Sequence, residues 1–158
     1  MAIDPGTQNL QFAVFSATGP NDIRLLCERT CSPGRSIPDV VGSAETARHM
    51  ALEWTVDVVL IEDQPRVNKM NPAVVYWNGV VESALCTIME MSGLDWRIIS
   101  PSAAKRKAGI CTGNYWANKE ASLAFCNEKC ANHPWLGSNH HISDCFLLAW
   151  YYFSTEKE

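Results

Sequence analysis

Between Leu10 and Ser16 the chain reads Leu-Gln-Phe-Ala-Val-Phe-Ser, an apolar and β-rich run. A Gly19-Pro20-Asn21 turn separates it from a second such stretch, Asp22 to Cys31, and together they predict two strands joined by a turn. Ser32-Pro33-Gly34 reads as a loop, after which the period changes. Val40, Val41, Ala44, Ala47, Met50 and Ala51 recur at helical spacing, predicting a helix from about Pro38 to Trp54. Asp57-Val-Val-Leu-Ile-Glu62 is a continuous apolar run closed by a carboxylate; apolar on both faces, it suits a central, parallel strand covered by helices. Pro72 is well placed to open a long helix that reaches about Met91 and stops at Gly93. A further strand spans Asp95–Ser100, and Pro101–Gly109 reads as a short basic helix ended by glycine. Tyr115 to about Cys130 forms another helix. Ser138 or Asn139 caps the last one, which runs through Tyr152. With Met1-Ala-Ile as a short first strand, this succession of strands and helices predicts a single α/β domain over 1–158 with a mixed sheet.

The long helix has apolar residues on more than one face. Val74, Val81, Leu85 and Ile88 share one, and Trp77, Val80 and Ala84 another. The first can pack on the sheet; the second needs its own cover. A homodimer interface is the preferred cover, with burial inside one chain as the alternative.

Composition narrows the class. At 158 residues with 47% apolar and 19% charged residues, the chain is globular rather than disordered. No apolar run is long enough to span a bilayer, and Asp4 and Gln8 interrupt the N-terminus too early for a signal peptide. Seven cysteines, an odd number scattered through apolar segments, point to an intracellular, reducing compartment with thiols as small buried hydrophobes. Cys126-x3-Cys130-x2-His133 offers zinc two sulfurs on one helix face, but no CxxC pair completes a tetrahedral set. Net charge is −4, which does not advertise nucleic acid. The distribution says more: Arg66, Lys69, Lys105, Arg106, Lys107 and Lys119 gather in the middle of an otherwise acidic chain. Such a cluster is either a solvated surface or a local face for a phosphate backbone.

Three carboxylates then stand out. Asp4 sits where a strand breaks into Pro5-Gly6-Thr7, a turn in which proline presets φ and glycine tolerates positive φ. Glu62 ends the buried strand. Asp144 lies early in the last helix, three residues after His141 and four after His140, so either histidine shares its face. Ile142, Cys145, Ala149 and Phe153 form the neighbouring apolar stripe, which leaves His141 and Asp144 at its edge, facing a cleft. An oxygen-rich set with one imidazole suits Mg²⁺ or Mn²⁺ better than zinc. Two such ions about 4 Å apart activate a water and stabilise the leaving oxygen of a phosphodiester, while the basic loops hold the backbone. The residues alone therefore describe a metal-dependent nuclease.

Ile3-Asp-Pro-Gly-Thr-Gln-Asn9, Ile61-Glu-Asp-Gln64 and His141-Ile-Ser-Asp144 resemble, in order and spacing over nearly the whole chain, the three motifs of RuvC-type Holliday junction resolvases. Ile99-Ser-Pro-Ser-Ala-Ala-Lys-Arg-Lys-Ala-Gly-Ile-Cys-Thr-Gly113 is similar to the segment preceding that family's basic-helix region. Asn118-Lys119-Glu120 falls where the family has a DNA-contacting lysine. The resemblance implies an RNase H-like fold with a five-stranded mixed sheet flanked by helices, a homodimer, and two Mg²⁺ or Mn²⁺ ions per site cutting four-way DNA junctions by paired nicks that leave 5′-phosphates. It implies Asp4, Glu62, His141 and Asp144 as catalytic metal ligands. Arg66, Asn68 and Lys69, in the loop before the long helix, then lie near the branch point, and Lys105, Arg106, Lys107 and Lys119 on the DNA. Two features depart from the family pattern. His141 stands where many members have the first aspartate of Asp-x-x-Asp, although some have histidine. The first strand is also very short, as though residues ahead of Met1 were absent. Among rivals, an actin-like ATPase or sugar kinase shares Ile-Asp-x-Gly-Thr but needs two domains and a second such motif. A different RNase H-like nuclease acting on branched nucleic acid, or a junction-binding protein that does not cut, is the stronger alternative.

Overall fold

The structure, a computed structural model of the chain, describes residues 1–64, 71–110, 113–130 and 140–155. Five strands, β1 (Ala2–Asp4), β2 (Leu10–Gly19), β3 (Asp22–Cys31), β4 (Val59–Glu62) and β5 (Trp96–Ile99), form one sheet in the order β3-β2-β1-β4-β5. β1 runs antiparallel to β2 and parallel to β4, and β4 is parallel to β5. The mixed sheet is thus the predicted one, with the three-residue β1 at its centre. The β2–β3 hairpin extends beyond the predicted Ser16, to Gly19, with register shifts at Val14/Phe15 and Ala17/Gly19.

Strand periodicity sorts the side chains onto two faces. Ile3, Phe12, Val14, Val59 and Ile61 point to the face covered by α1 (Ile37–Glu53) and α2 (Pro72–Met91), where they meet Val40, Ala47, Leu85 and Met89. Ala2, Ala13 and Leu60 point to the other, against Ile142, Cys145 and Phe146 of α5 (His140–Thr155), with α3 (Pro101–Lys107) and α4 (Tyr115–Lys129) packed around that helix. Side-chain caps start the helices: Ser36, Asn71, Ser100 and Asn114 each accept a backbone N–H of the first turn, with proline at the start of α1, α2 and α3.

Two expectations about the helices change. On α2 the fully buried residues are Val81, Glu82, Leu85 and Met89, while Trp77, Val80, Ala84 and Ile88 pack partly into the α1/α2 core. Burial within the chain therefore covers much of the second face, leaving Tyr76 open at its start and Met91 at its end, 63% and 82% exposed. On α5, eight consecutive residues from Ile142 to Ala149 are buried. This is no narrow stripe but a helix enclosed by the sheet on one side and by α3 and α4 on the other. None of the described helices is long and apolar enough to cross a membrane.

Candidate active site

Alternation along the two central strands decides which way the carboxylates point. Asp4 is two residues beyond Ala2, and Glu62 two beyond Leu60, so both lie on the α5 face of the sheet. β1 and β4 are parallel neighbours and both end there, which brings the two side chains to the same sheet edge. The turn after Asp4 is tight: a Cβ on Gly6 would stand 2.8 Å from the Asn9 carbonyl oxygen. Gly6 is not among the glycines with positive φ, so close approach of backbone is the reason for glycine here, rather than a left-handed conformation. Thr7 and Gln8 are then tied to the end of β3, since Gly34 N–H donates to the Thr7 carbonyl at 2.9 Å and Ser32 Oγ to the Gln8 carbonyl at 2.7 Å.

α5 supplies the other half. His141 Nδ1 and Asp4 Oδ2 are 2.8 Å apart, so the helix is latched to the end of β1. Asp144, one turn later and 6% exposed, is met by two ammoniums: Lys119 Nζ at 2.6 Å from Oδ2 and Lys105 Nζ at 3.1 Å from Oδ1. A buried carboxylate needs such partners, because desolvation is costly to an unpaired charge. The expectation that Asp144 faces an open cleft is therefore corrected; it lies under α3 and α4, whose lysines reach it.

The charges are mutually adjusted. Glu62 is half-buried, and burial, then the charges of Asp4 and Asp144, push its carboxyl well above the ordinary value of 4.5. Lys119 is pulled down by burial, but the Asp144 charge and hydrogen bond outweigh this and its pKa ends above 10.5. The bond to Asp4 raises His141 above 6.5 against the opposing effect of burial. His140 behaves differently: its Nδ1 is buried with no hydrogen-bond partner among the described residues.

The predicted basic residues separate into three groups. Lys105 and Lys119 line the carboxylate site. Lys107 Nζ donates to the Ser154 carbonyl at 2.7 Å, in the last turn of α5, where a cation complements the helix dipole. Arg106 is exposed on α3. Arg66, Asn68 and Lys69 lie outside the described residues, as does His133 of the zinc alternative; Cys126 donates to the Ser143 carbonyl at 3.4 Å.

One functional group escaped the sequence reading. Glu82, on α2, is 6% exposed and accepts the backbone N–H of Gln64 at 2.8 Å. Asn78, one turn earlier, donates to Gln64 Oε1 at 3.2 Å. Together they fasten the chain two residues beyond Glu62, at the entrance to the 65–70 segment. A glutamate among Val81, Ser83 and Ala84 carries no motif; the only signal is a charge on a face otherwise predicted apolar. Glu82→Ala should lower the denaturant midpoint by the equivalent of about 1–3 kcal/mol, because a buried N–H loses its acceptor. Glu82→Gln, which keeps an oxygen there, should lose less. Equal midpoints for Glu82→Ala and wild type would show that the clamp contributes nothing.

The donor set fits a hard divalent cation. Three carboxylates whose charges perturb one another meet one imidazole, and protein ammoniums supply the compensating positive charge. Among the described residues no three such side chains are already closed around a common point; Lys105 and Lys119 would have to yield Asp144 to an ion.

No family model matches the sequence, and no characterised protein matches it by sequence. Solved structures do match. RuvC of T. thermophilus in complex with a Holliday junction substrate aligns with TM-score 0.74 at 17% identity, over 98% of this chain and 94% of that one. The yeast mitochondrial Holliday junction resolvase Ydc2 aligns with TM-score 0.70 at 13% identity, over 96% of this chain and 75% of that one. Fowlpox virus resolvase, in complex with Holliday junction DNA, aligns with TM-score 0.65 at 16% identity, over 98% of this chain and 99% of that one. The chain has the RNase H-like fold of these proteins, as its motifs led one to expect.

Proposed function

We propose that the protein is a metal-dependent endonuclease that resolves four-way DNA junctions as a homodimer. One observation carries the reading: Asp4, Glu62 and Asp144, from β1, β4 and α5, converge with His141 on one edge of a fold shared with proteins solved on junction DNA. Asp4, Glu62, His141 and Asp144 would hold Mg²⁺ or Mn²⁺, two ions per site. Bound there, the ions supply Lewis acidity for attack of water on a phosphodiester and for departure of the 3′-oxygen. The protein's own groups orient the site. The sheet edge fixes Asp4 and Glu62, the His141–Asp4 contact sets the position of α5, and Lys105 and Lys119 stand ready for phosphate oxygens. The open Tyr76 region of α2 is the surface for the second protomer, so that each copy cuts one of two opposing strands. The deciding assay compares a synthetic four-way junction with linear duplex, in Mg²⁺ and in EDTA. Paired nicks confined to the junction in Mg²⁺ are expected; cleavage in EDTA, or no cleavage of the junction in either Mg²⁺ or Mn²⁺, would refute the proposal.

The basic residues should divide as their contacts do. Arg106→Ala is expected to lower the slope of log affinity against log salt by about 0.9, one phosphate contact. Lys107→Ala should leave that slope alone and instead lower stability by about 0.3–1 kcal/mol, through loss of its contact with the end of α5. Salt titrations of junction binding alongside thermal melts distinguish the two; a slope change for Lys107→Ala and none for Arg106→Ala would reverse the assignment.

A further inference from the structure

Tyr115 and Trp116 stand in the first turn of α4 with 65% and 70% of their surface exposed. Their rings contact each other edge to face, centroids 5.2 Å apart at 79°. The helix does not need them for packing: its buried residues are Ser122 and Cys126, with Ala121 and Phe125 partly covered against the α5 side. Nor do they sit on a loose end, because the Asn114 side chain accepts the N–H groups of Trp116 at 2.9 Å and Ala117 at 3.2 Å. Lys119, the next turn, links this pair to the carboxylate site. Its Nζ is 5.9 Å from the Tyr115 ring centre and 2.6 Å from Asp144 Oδ2. Two large aromatic surfaces are thus held open beside the reacting centre, next to a cation.

We propose that Tyr115 and Trp116 form a stacking platform for an unpaired base of the DNA strand entering the site, with Trp116 as its outer face. The inference builds on the nuclease reading above and adds the part of the substrate that is recognised. Aromatic faces interleaved with lysines are the combination that holds single-stranded nucleic acid: cations meet the backbone, rings meet the bases. Lys105, Arg106 and Lys119 provide the charge complementary to a phosphate backbone. In intact duplex every base face is already stacked, so the platform offers duplex nothing. At a branch point or in a single strand a base face is free. The pair would therefore contribute selectivity for interrupted duplex, independently of the metal ligands.

The test uses the full chain in EDTA, which prevents cleavage, with 2-aminopurine placed once at the branch of a four-way junction and once in a short single strand. Wild type should quench the probe in both. Trp116→Ala should abolish most of the quenching and weaken single-strand and junction binding about tenfold, leaving duplex affinity unchanged. Trp116→Phe should restore most of both effects. Retained quenching and affinity in Trp116→Ala would overturn the inference. So would equal weakening on duplex, or a smaller sedimenting species showing that the ring is buried between copies. Should wild type bind junction and duplex alike yet pass the single-strand arm, the junction reading fails and the platform stands.

Discussion

Asp144→Asn should reduce junction cleavage about a thousandfold or more while leaving junction binding intact or slightly tighter. Asp4→Asn and Glu62→Gln should do the same. Loss of a ligand removes several kcal/mol of charge stabilisation from the reacting phosphate, and each 1.36 kcal/mol is a factor of ten in rate. Binding takes the opposite sign, because it depends on cations meeting phosphates and each substitution removes a negative charge from beside the DNA path. The three variants differ in their effect on the fold. Asp144 is buried and holds both Lys119 and Lys105, so its amide leaves two partly buried ammoniums without their anion and should also lower the melting temperature. Burial, and after it the charges of Asp4 and Asp144, already disfavour the Glu62 carboxylate, so Glu62→Gln should raise metal-free stability. Single-turnover cleavage, junction affinity in EDTA and thermal melts on the same preparations separate these effects. Near wild-type cleavage by Asp144→Asn in Mg²⁺ would falsify the assignment of the site.

The shared face of Asp4 and Glu62 is legible in the sequence. The apolar run ending at Glu62 announced a central parallel strand. Once β1 and β4 are neighbours, the i+2 relation of Asp4 to Ala2 and of Glu62 to Leu60 puts both carboxylates on one face. What spacing does not give is the partner across a tertiary contact. Lys105, Arg106 and Lys107 are consecutive on one short helix, yet they go to Asp144, to solvent and to the Ser154 carbonyl respectively, because successive helical residues point in different directions. Lys119 falls in a DNA-contacting motif position, and nothing in that motif reveals that its ammonium also pairs with Asp144. Glu82 was invisible for the same reason, since its acceptor role depends on where the chain turns after β4. The enclosure of α5 follows from α3 and α4 folding over it, which no period within α5 records. Gly6 was recognised as necessary but for the wrong cause; crowding by the Asn9 carbonyl, not the sign of φ, excludes a side chain.

His141→Ala should slow cleavage at least about a hundredfold, the upper end of the cost of losing even an outer-sphere partner of a metal ligand. His141→Asp should keep activity, because aspartate supplies a hard oxygen in the same place. The pH dependence follows from the contact with Asp4, which raises the histidine above 6.5. In the metal-free protein this bond therefore adds stability that is fully present below pH 6.5 and disappears as pH rises through the elevated value. A divalent ion needs the imidazole neutral and the Asp4 oxygen free, so protons compete with it for both groups. Cleavage at limiting Mg²⁺ should accordingly fall on acidification with a midpoint above 6.5, higher than an unperturbed histidine would give. More Mg²⁺ should move that midpoint to lower pH, and His141→Asp should lose the acid limb in this range. His140→Ala should matter far less, since its buried Nδ1 has no hydrogen-bond partner among the described residues. The measurement is single-turnover rate against pH at several Mg²⁺ concentrations for all four proteins. An active His141→Ala enzyme beside an inactive His140→Ala one would transfer the role to the neighbouring histidine. A midpoint indifferent to Mg²⁺ would remove both histidines from the ligand set.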